Sequence, residues 1–292
     1  MPARTAWLVA FALWCWFAHP APADERSDTA AKQKDVALSN LAKLGVAKPS
    51  VHETDDLFVG GALTADKLKS LGEGLQKHYA ATYKALNFEA NEPPWKGKLA
   101  VYVFTERTQF TSFIRQVEQR RPEGDETASS QVRSDVPHVA LTTAKGDGAT
   151  LETSATAQVA IALLSRKAGV AELPPWFSEA FARAVRMRTD PKTGSTEKAA
   201  IRKVVLAKTR PMPVKPTDGW AQGDMPDKAL IATSVIDYLV FGPEAAKFPS
   251  VLAGFRESDE NPNPTIDAAL KSAGFTPEGL EKAWKKWVQT GK

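Results

Sequence analysis

Six consecutive apolar residues, Leu99 to Phe104 (LAVYVF), place the tightest limit on how this chain can fold. A strand with one face on a core and one in water alternates apolar and polar side chains. A strand apolar at every position has both faces covered. The run is too short for a helix and is rich in β-branched and aromatic residues. It is read as the central strand of a sheet with layers on both sides. Its surroundings agree. Asp56 to Gly60 (DLFVG) reads as a short strand, and Val136 to Thr142 (VPHVALT) as another, with Pro137 marking an edge or a boundary. Between them Leu68, Leu71, Leu75, Tyr79 and Leu86 recur at helical spacing behind the N-cap Thr64, which predicts a helix over 65–86. Phe110, Phe113, Ile114 and Val117 mark a further helix, and the polar stretch 121–136 reads as a loop.

Beyond the strands the pattern turns helical. Helices are predicted over 150–167 and 175–187, the latter opened by Pro174-Pro175. A helix and a Pro/Gly-rich connection follow over 191–226. The C-terminal unit, 227–292, carries helices at 227–241, 244–256, 265–272 and 277–289. The expected fold class is α+β: a small mixed sheet with helices over 55–190, then a helical half. Residues 24–54, polar and rich in Ala and Lys, are read as a flexible leader.

The first 23 residues form a separate unit. Arg4 is followed by a thirteen-residue apolar run, Ala6 to Ala18, and then by Ala21-Pro22-Ala23, with small residues at −3 and −1 before Asp24. This is the pattern of a cleaved secretory signal, with cleavage expected after Ala23 and a secreted or periplasmic product. No run reaches the eighteen apolar residues of a membrane span, so none is expected once the signal is removed. The only cysteine, Cys15, lies within the signal, and so does His19; His52, His78 and His138 remain. The mature chain therefore has no thiolate for metal binding or catalysis. A formal charge of +4 is too small an excess to point to nucleic acid.

Three segments carry a family resemblance. Lys98 to Arg115 (KLAVYVFTERTQFTSFIR), Leu173 to Val185 (LPPWFSEAFARAV) and the helical tail Ala229 to Trp287 are similar in kind and order to the gluzincin metallopeptidases. The likeness is nearest to the peptidase MA-like domains related to aminopeptidase N and thermolysin. The resemblance implies a zincin-like fold. It also implies a helix bearing His-Glu-x-x-His over 150–167, with a third zinc ligand on the Trp176 helix. Two histidines at i and i+4 converge on one ion, and the glutamate between them is general base to the metal-bound water. In the family the third ligand is a glutamate about nineteen residues past the second histidine. Counted back from Glu179, the ligand positions hold Thr156 and Ala160, and the base position holds Ala157. Only Glu179 keeps a suitable side chain. Ala180 stands where the family usually has glycine, and Ile231 where many members carry a tyrosine.

The degenerate motif implies a pseudoenzyme: a peptidase-like scaffold without zinc, with no cofactor expected, binding a peptide, a protein or a cell-envelope component. The alternative is a hydrolase with non-standard chemistry around Glu179, drawing on the hydroxyls of Thr153, Ser154 and Thr156. The candidate binding residues are His138, Trp176 and Glu179. Each has a plainer reading. Glu179 would be a helix carboxylate paired with Arg183 one turn on, His138 a half-exposed strand histidine, and Trp176 core packing. The basic string Lys198, Arg202, Lys203, Lys208, Arg210 and Lys215 reads first as a solvated face.

Overall fold

The computed structural model describes residues 22–46, 48–89, 93–142, 150–207, 214–223, 227–259 and 261–291. Five strands form one sheet: β1 (Ser50–Glu53), β2 (Leu57–Gly61), β3 (Leu99–Phe104), β4 (Ala128–Gln131) and β5 (His138–Thr142). Their order is β1-β2-β3-β5-β4. The inner three run parallel, in register at Val59, Val101 and Val139, and both edge strands are antiparallel. The all-apolar strand β3 sits in the middle, as its composition requires.

Parity assigns the two faces. Leu57, Val59, Val101, Val103, Val139 and Leu141 point to one side, where they meet α2 (Ala65–Ala85) and α4 (Leu151–Ala168) in the main core. Phe58, Ala100, Tyr102, Phe104 and Ala140 point to the other. That second face is covered by α1 (Pro22–Lys43) and α3 (Arg107–Gln116). Burying each large apolar side chain here stabilises the fold by about 1.5–3 kcal/mol.

Helix α1 differs from the leader expected over 24–54. Ala30, Ala37 and Leu41 are buried on the sheet, and its polar residues bond the sheet too. The Lys98 N–H donates to Gln33 Oε1 at 2.8 Å, and Asn40 Nδ2 donates to the Tyr102 hydroxyl at 3.4 Å. A stripe mixing Ala, Gln and Asn has little hydropathic contrast, so periodicity does not report it. The rest of that segment includes β1, paired to β2. The signal expected at 1–23 lies outside the described residues except for Pro22 and Ala23, the first two positions of α1. A second difference is β4, inside the stretch expected to be a loop. Its ASSQ sequence lacks strand formers and is held by pairing with β5.

The C-terminal half is built on α7 (Lys228–Phe241), buried at every position from Ile231 to Val240. Around it lie α5 (Pro175–Thr189), α6 (Pro191–Val205) and α10 (Pro277–Thr290), with α8 (Phe248–Ala253) and α9 (Ile266–Ser272) beyond. Two tryptophans of α10 anchor on α7 polar groups. Trp284 Nε1 donates to Ser234 Oγ at 3.0 Å, and Trp287 Nε1 donates to Asp237 Oδ2 at 2.9 Å. Arg188 completes the second anchor with bonds of 2.6 and 2.5 Å to the two Asp237 oxygens. Among the described residues no single helix is long and apolar enough to cross a membrane. The chain is thus mixed α+β, a five-stranded sheet with a helical C-terminal half.

Candidate functional site

Helices α4 and α5 pack side by side, so the segment around Ala160 and the Trp176 helix are neighbours. Each has a firm start. Thr150 caps α4 by accepting the Thr153 N–H at 3.1 Å, and Pro175 occupies the first turn of α5. Along their junction lies a cleft of about 270 Å³ walled by Ala157, Gln158 and Ile161 from α4 and by Glu179, Ala182, Arg183 and Arg186 from α5. A second cleft of about 470 Å³ lies on the other side of Glu179, between α5 and the first turns of α7, with Trp176, Lys228 and Thr233 in its walls. Glu179 and Arg183 line both.

The geometry corrects the register read from the sequence. Thr156 and Ala160, 3% and 1% exposed, are turned into the protein and do not line the cleft. The pair one helical turn apart that shares a wall with Glu179 is Ala157 and Ile161, and Gln158 lies between them. Counting back from Glu179 cannot find this. The link between α4 and α5 decides which α4 residues face the glutamate, and a one-residue change rotates the face by a helix step of roughly 100°. In either register the position pair supplies no imidazole, and among the described residues Glu179 is the only carboxylate lining the smaller cleft. That donor set does not fit the zinc site that the resemblance implies. Among the described residues no group of three or more His, Cys, Asp or Glu is placed to hold a metal ion.

Glu179 is exposed, and among the described residues it makes no hydrogen bond or ion pair. Its expected partner Arg183 is engaged elsewhere. Arg183 Nε lies 3.1 Å from Glu197 Oε2, an ion pair whose angle does not make a hydrogen bond, while Arg186 donates to Glu197 Oε1 at 2.9 Å. Glu197 of α6 is 9% exposed and draws both guanidinium groups toward α6. Gly194 permits this: a Cβ there would sit 2.1 Å from the Met187 carbonyl oxygen, so only glycine lets α6 come this close to α5. The result is a free carboxylate beside two guanidinium groups that share one buried counter-charge.

Trp176 is half-buried and is a wall of the larger cleft as well as packing. Its ring stacks on Trp220 with centroids 5.5 Å apart and meets Phe177 edge-on at 5.6 Å. The Trp220 indole nitrogen is buried without a hydrogen-bond partner among the described residues. Ile231 is wholly buried in the core and does not reach the cleft. Of the hydroxyls proposed for catalysis, Thr153 bonds Thr150 at 2.9 Å and Thr156 is buried.

His138 is not part of this groove. Strand alternation turns Val139 and Leu141 toward α4, so His138 faces the opposite layer. There it is 9% exposed, not half-exposed, edge-on to Tyr102 and Phe113. Its Nδ1 lies 3.1 Å from the Val136 carbonyl and its Nε2 3.3 Å from Glu118 Oε1. Burial pushes the Glu118 carboxyl up. Hydrogen bonds from His138 and Ser129, the His138 charge and the Arg120 bond more than offset it, so the net shift is below the ordinary carboxylate range. This is a structural network. Gln158, Ile161, Arg186, Lys228 and Trp220 are the site residues that sequence reasoning missed. Trp220 follows a Pro/Gly-rich segment with no periodicity to place it, and the others are ordinary surface residues until the helices pack.

No known family model matches the chain, and no curated protein matches it.

Proposed function

We propose that the chain is an exported, non-catalytic protein of peptidase-like build, whose α4–α5–α7 groove binds an extended segment of a cell-envelope protein or peptide. The observation that supports this is Glu179. A carboxylate with no partner among the described residues stands where two adjoining clefts meet, with an aromatic wall one helical turn before it. Arg183 and Arg186 turn to Glu197 and neither pairs with Glu179, whose carboxylate stands open to a cation brought by a ligand. The Trp176 ring offers the ligand's aliphatic stem and charge a flat face. The occupant that fits is a segment carrying a lysine, an arginine or a free amino end. Of the ligands that a zinc-dependent route to hydrolysis needs, the described residues of the groove supply only Glu179, so no catalytic step is assigned.

The test is calorimetric titration of the mature chain with ten-residue peptides differing only in a central Lys, Ala or Glu. Saturable binding that favours Lys, and loses that preference in Glu179→Gln, supports the reading. Equal affinity for all three, or no binding, refutes it. Cleavage of the peptides that Glu179→Ala abolishes would establish the hydrolase alternative instead.

A further inference from the structure

Further along α5 from Glu179, the helices of the C-terminal half border a smaller hollow, open to solvent on the side of the exposed Lys198 and Arg202, that the groove does not use. It measures about 130 Å³ and lies between α5, α6, α7 and α10, lined by Arg188, Lys198, Arg202, Asp237, Trp287 and Val288 among others. At about 30 Å³ of liquid volume per water, it holds roughly four waters, well short of a drug-sized ligand. Three of the six named side chains are cations and one is an anion, and the anion is already saturated. Asp237 accepts both Arg188 bonds and the Trp287 indole N–H. Arg188 is thereby neutralised in place, its guanidinium lying 5.2 Å from the Trp287 ring centre.

The two remaining cations have no counter-charge among the described residues. Arg202 donates its Nε to the Val288 carbonyl at 3.1 Å, which fixes the guanidinium plane and leaves its two terminal nitrogens unassigned. Lys198, one helical turn earlier on α6 and exposed, makes no hydrogen bond or ion pair among the described residues. We propose that this hollow is a binding site for a small dianionic oxyanion of the phosphate class, held by the Lys198 ammonium and the fork of Arg202 over the Trp287 wall. A planar fork and a point charge at i and i+4 are the pair that a phosphate group uses well. The state of Lys198 agrees: partial desolvation of this exposed side chain and then the Arg188 charge hold its ammonium below the usual lysine range, against the pull of Asp237, and a bound anion would relieve that crowding. The site explains why two members of the basic string seen in the sequence face one hollow.

The experiment is titration of the full mature chain with sodium phosphate at low ionic strength, against sodium chloride of equal ionic strength, followed by calorimetry and thermal melting. Glycerol 3-phosphate is run in parallel to separate a free ion from a head group. Saturable binding of either, with a rise in melting temperature that chloride does not give, is the expected result. Lys198→Met and Arg202→Gln should each weaken it about tenfold or more, the worth of one hydrogen bond to a charged group. Lys203→Met removes the same charge from the same helix outside the hollow and should leave binding unchanged. No saturable phosphate effect beyond chloride overturns the proposal. So does equal weakening by Lys203→Met, which would reduce the effect to general attraction.

Discussion

Placing two histidines on α4 tests the geometry of the groove directly. Ala157 and Ile161 share a wall with Glu179, whereas Thr156 and Ala160 are buried. The double variant Ala157→His/Ile161→His should therefore assemble a His₂Glu set with one open position, the ligand number of a catalytic zinc site. Both positions are partly exposed, so the imidazoles enter a cleft of about 270 Å³ without displacing the core. With zinc at a hundred times its dissociation constant, linkage stabilises the folded state by about 2.7 kcal/mol. At about 2–4 °C per kcal/mol for a chain near this size, the melting temperature should rise about 5–10 °C. The shifted pair, Thr156→His/Ala160→His, forces imidazoles into positions 3% and 1% exposed. Overpacking and unpaired ring nitrogens should cost about 4 kcal/mol or more together, and zinc should recover none of it. The assay is thermal melting of both variants with zinc, with magnesium as control. A zinc-dependent rise in the 156/160 pair and none in a folded 157/161 pair would refute the register and the placement of the groove.

Other expected outcomes concern the supports of the fold. Asp237→Ala strands the Arg188 guanidinium and the Trp287 indole N–H, and should cost about 3–5 kcal/mol in chemical denaturation. Adding Arg188→Met should restore part of that, and strict additivity would show that the two do not act as a pair. Because the folded-state pKa of Glu118 is depressed, its contribution is full above the unfolded value, near the ordinary glutamate value of 4.5, and is lost as pH falls through the lower folded value. Glu118→Gln should flatten the acid limb of the stability profile in that window, and an unchanged limb would contradict the network. Gly194→Ala should push α6 from α5 and cost about 1–3 kcal/mol by overpacking, read as a drop in denaturation midpoint.

The division between what the chain reveals and what folding adds runs along particular residues. LAVYVF announced a central strand because a six-residue apolar run has no other economical burial, and the 65–86 and 277–289 helices were legible because their apolar stripes contrast with polar faces. Helix α1 and strand β4 were hidden for the opposite reason. Their core-facing residues are Ala, Gln, Asn and Ser, and partners far along the chain hold them.

The candidate site divides in the same way. Glu179 and Trp176 could be named from a local motif. That Arg183 turns to Glu197, that His138 faces the far layer, and that Ala157, not Thr156, looks at Glu179 depend on helix rotation and strand parity. Sequence by itself determined most of the elements and that no histidine or cysteine between 139 and 292 accompanies the glutamate. Tertiary structure decided which side chains meet, because a rotation of one residue on a helix or a step of one on a strand exchanges the core face for the open one.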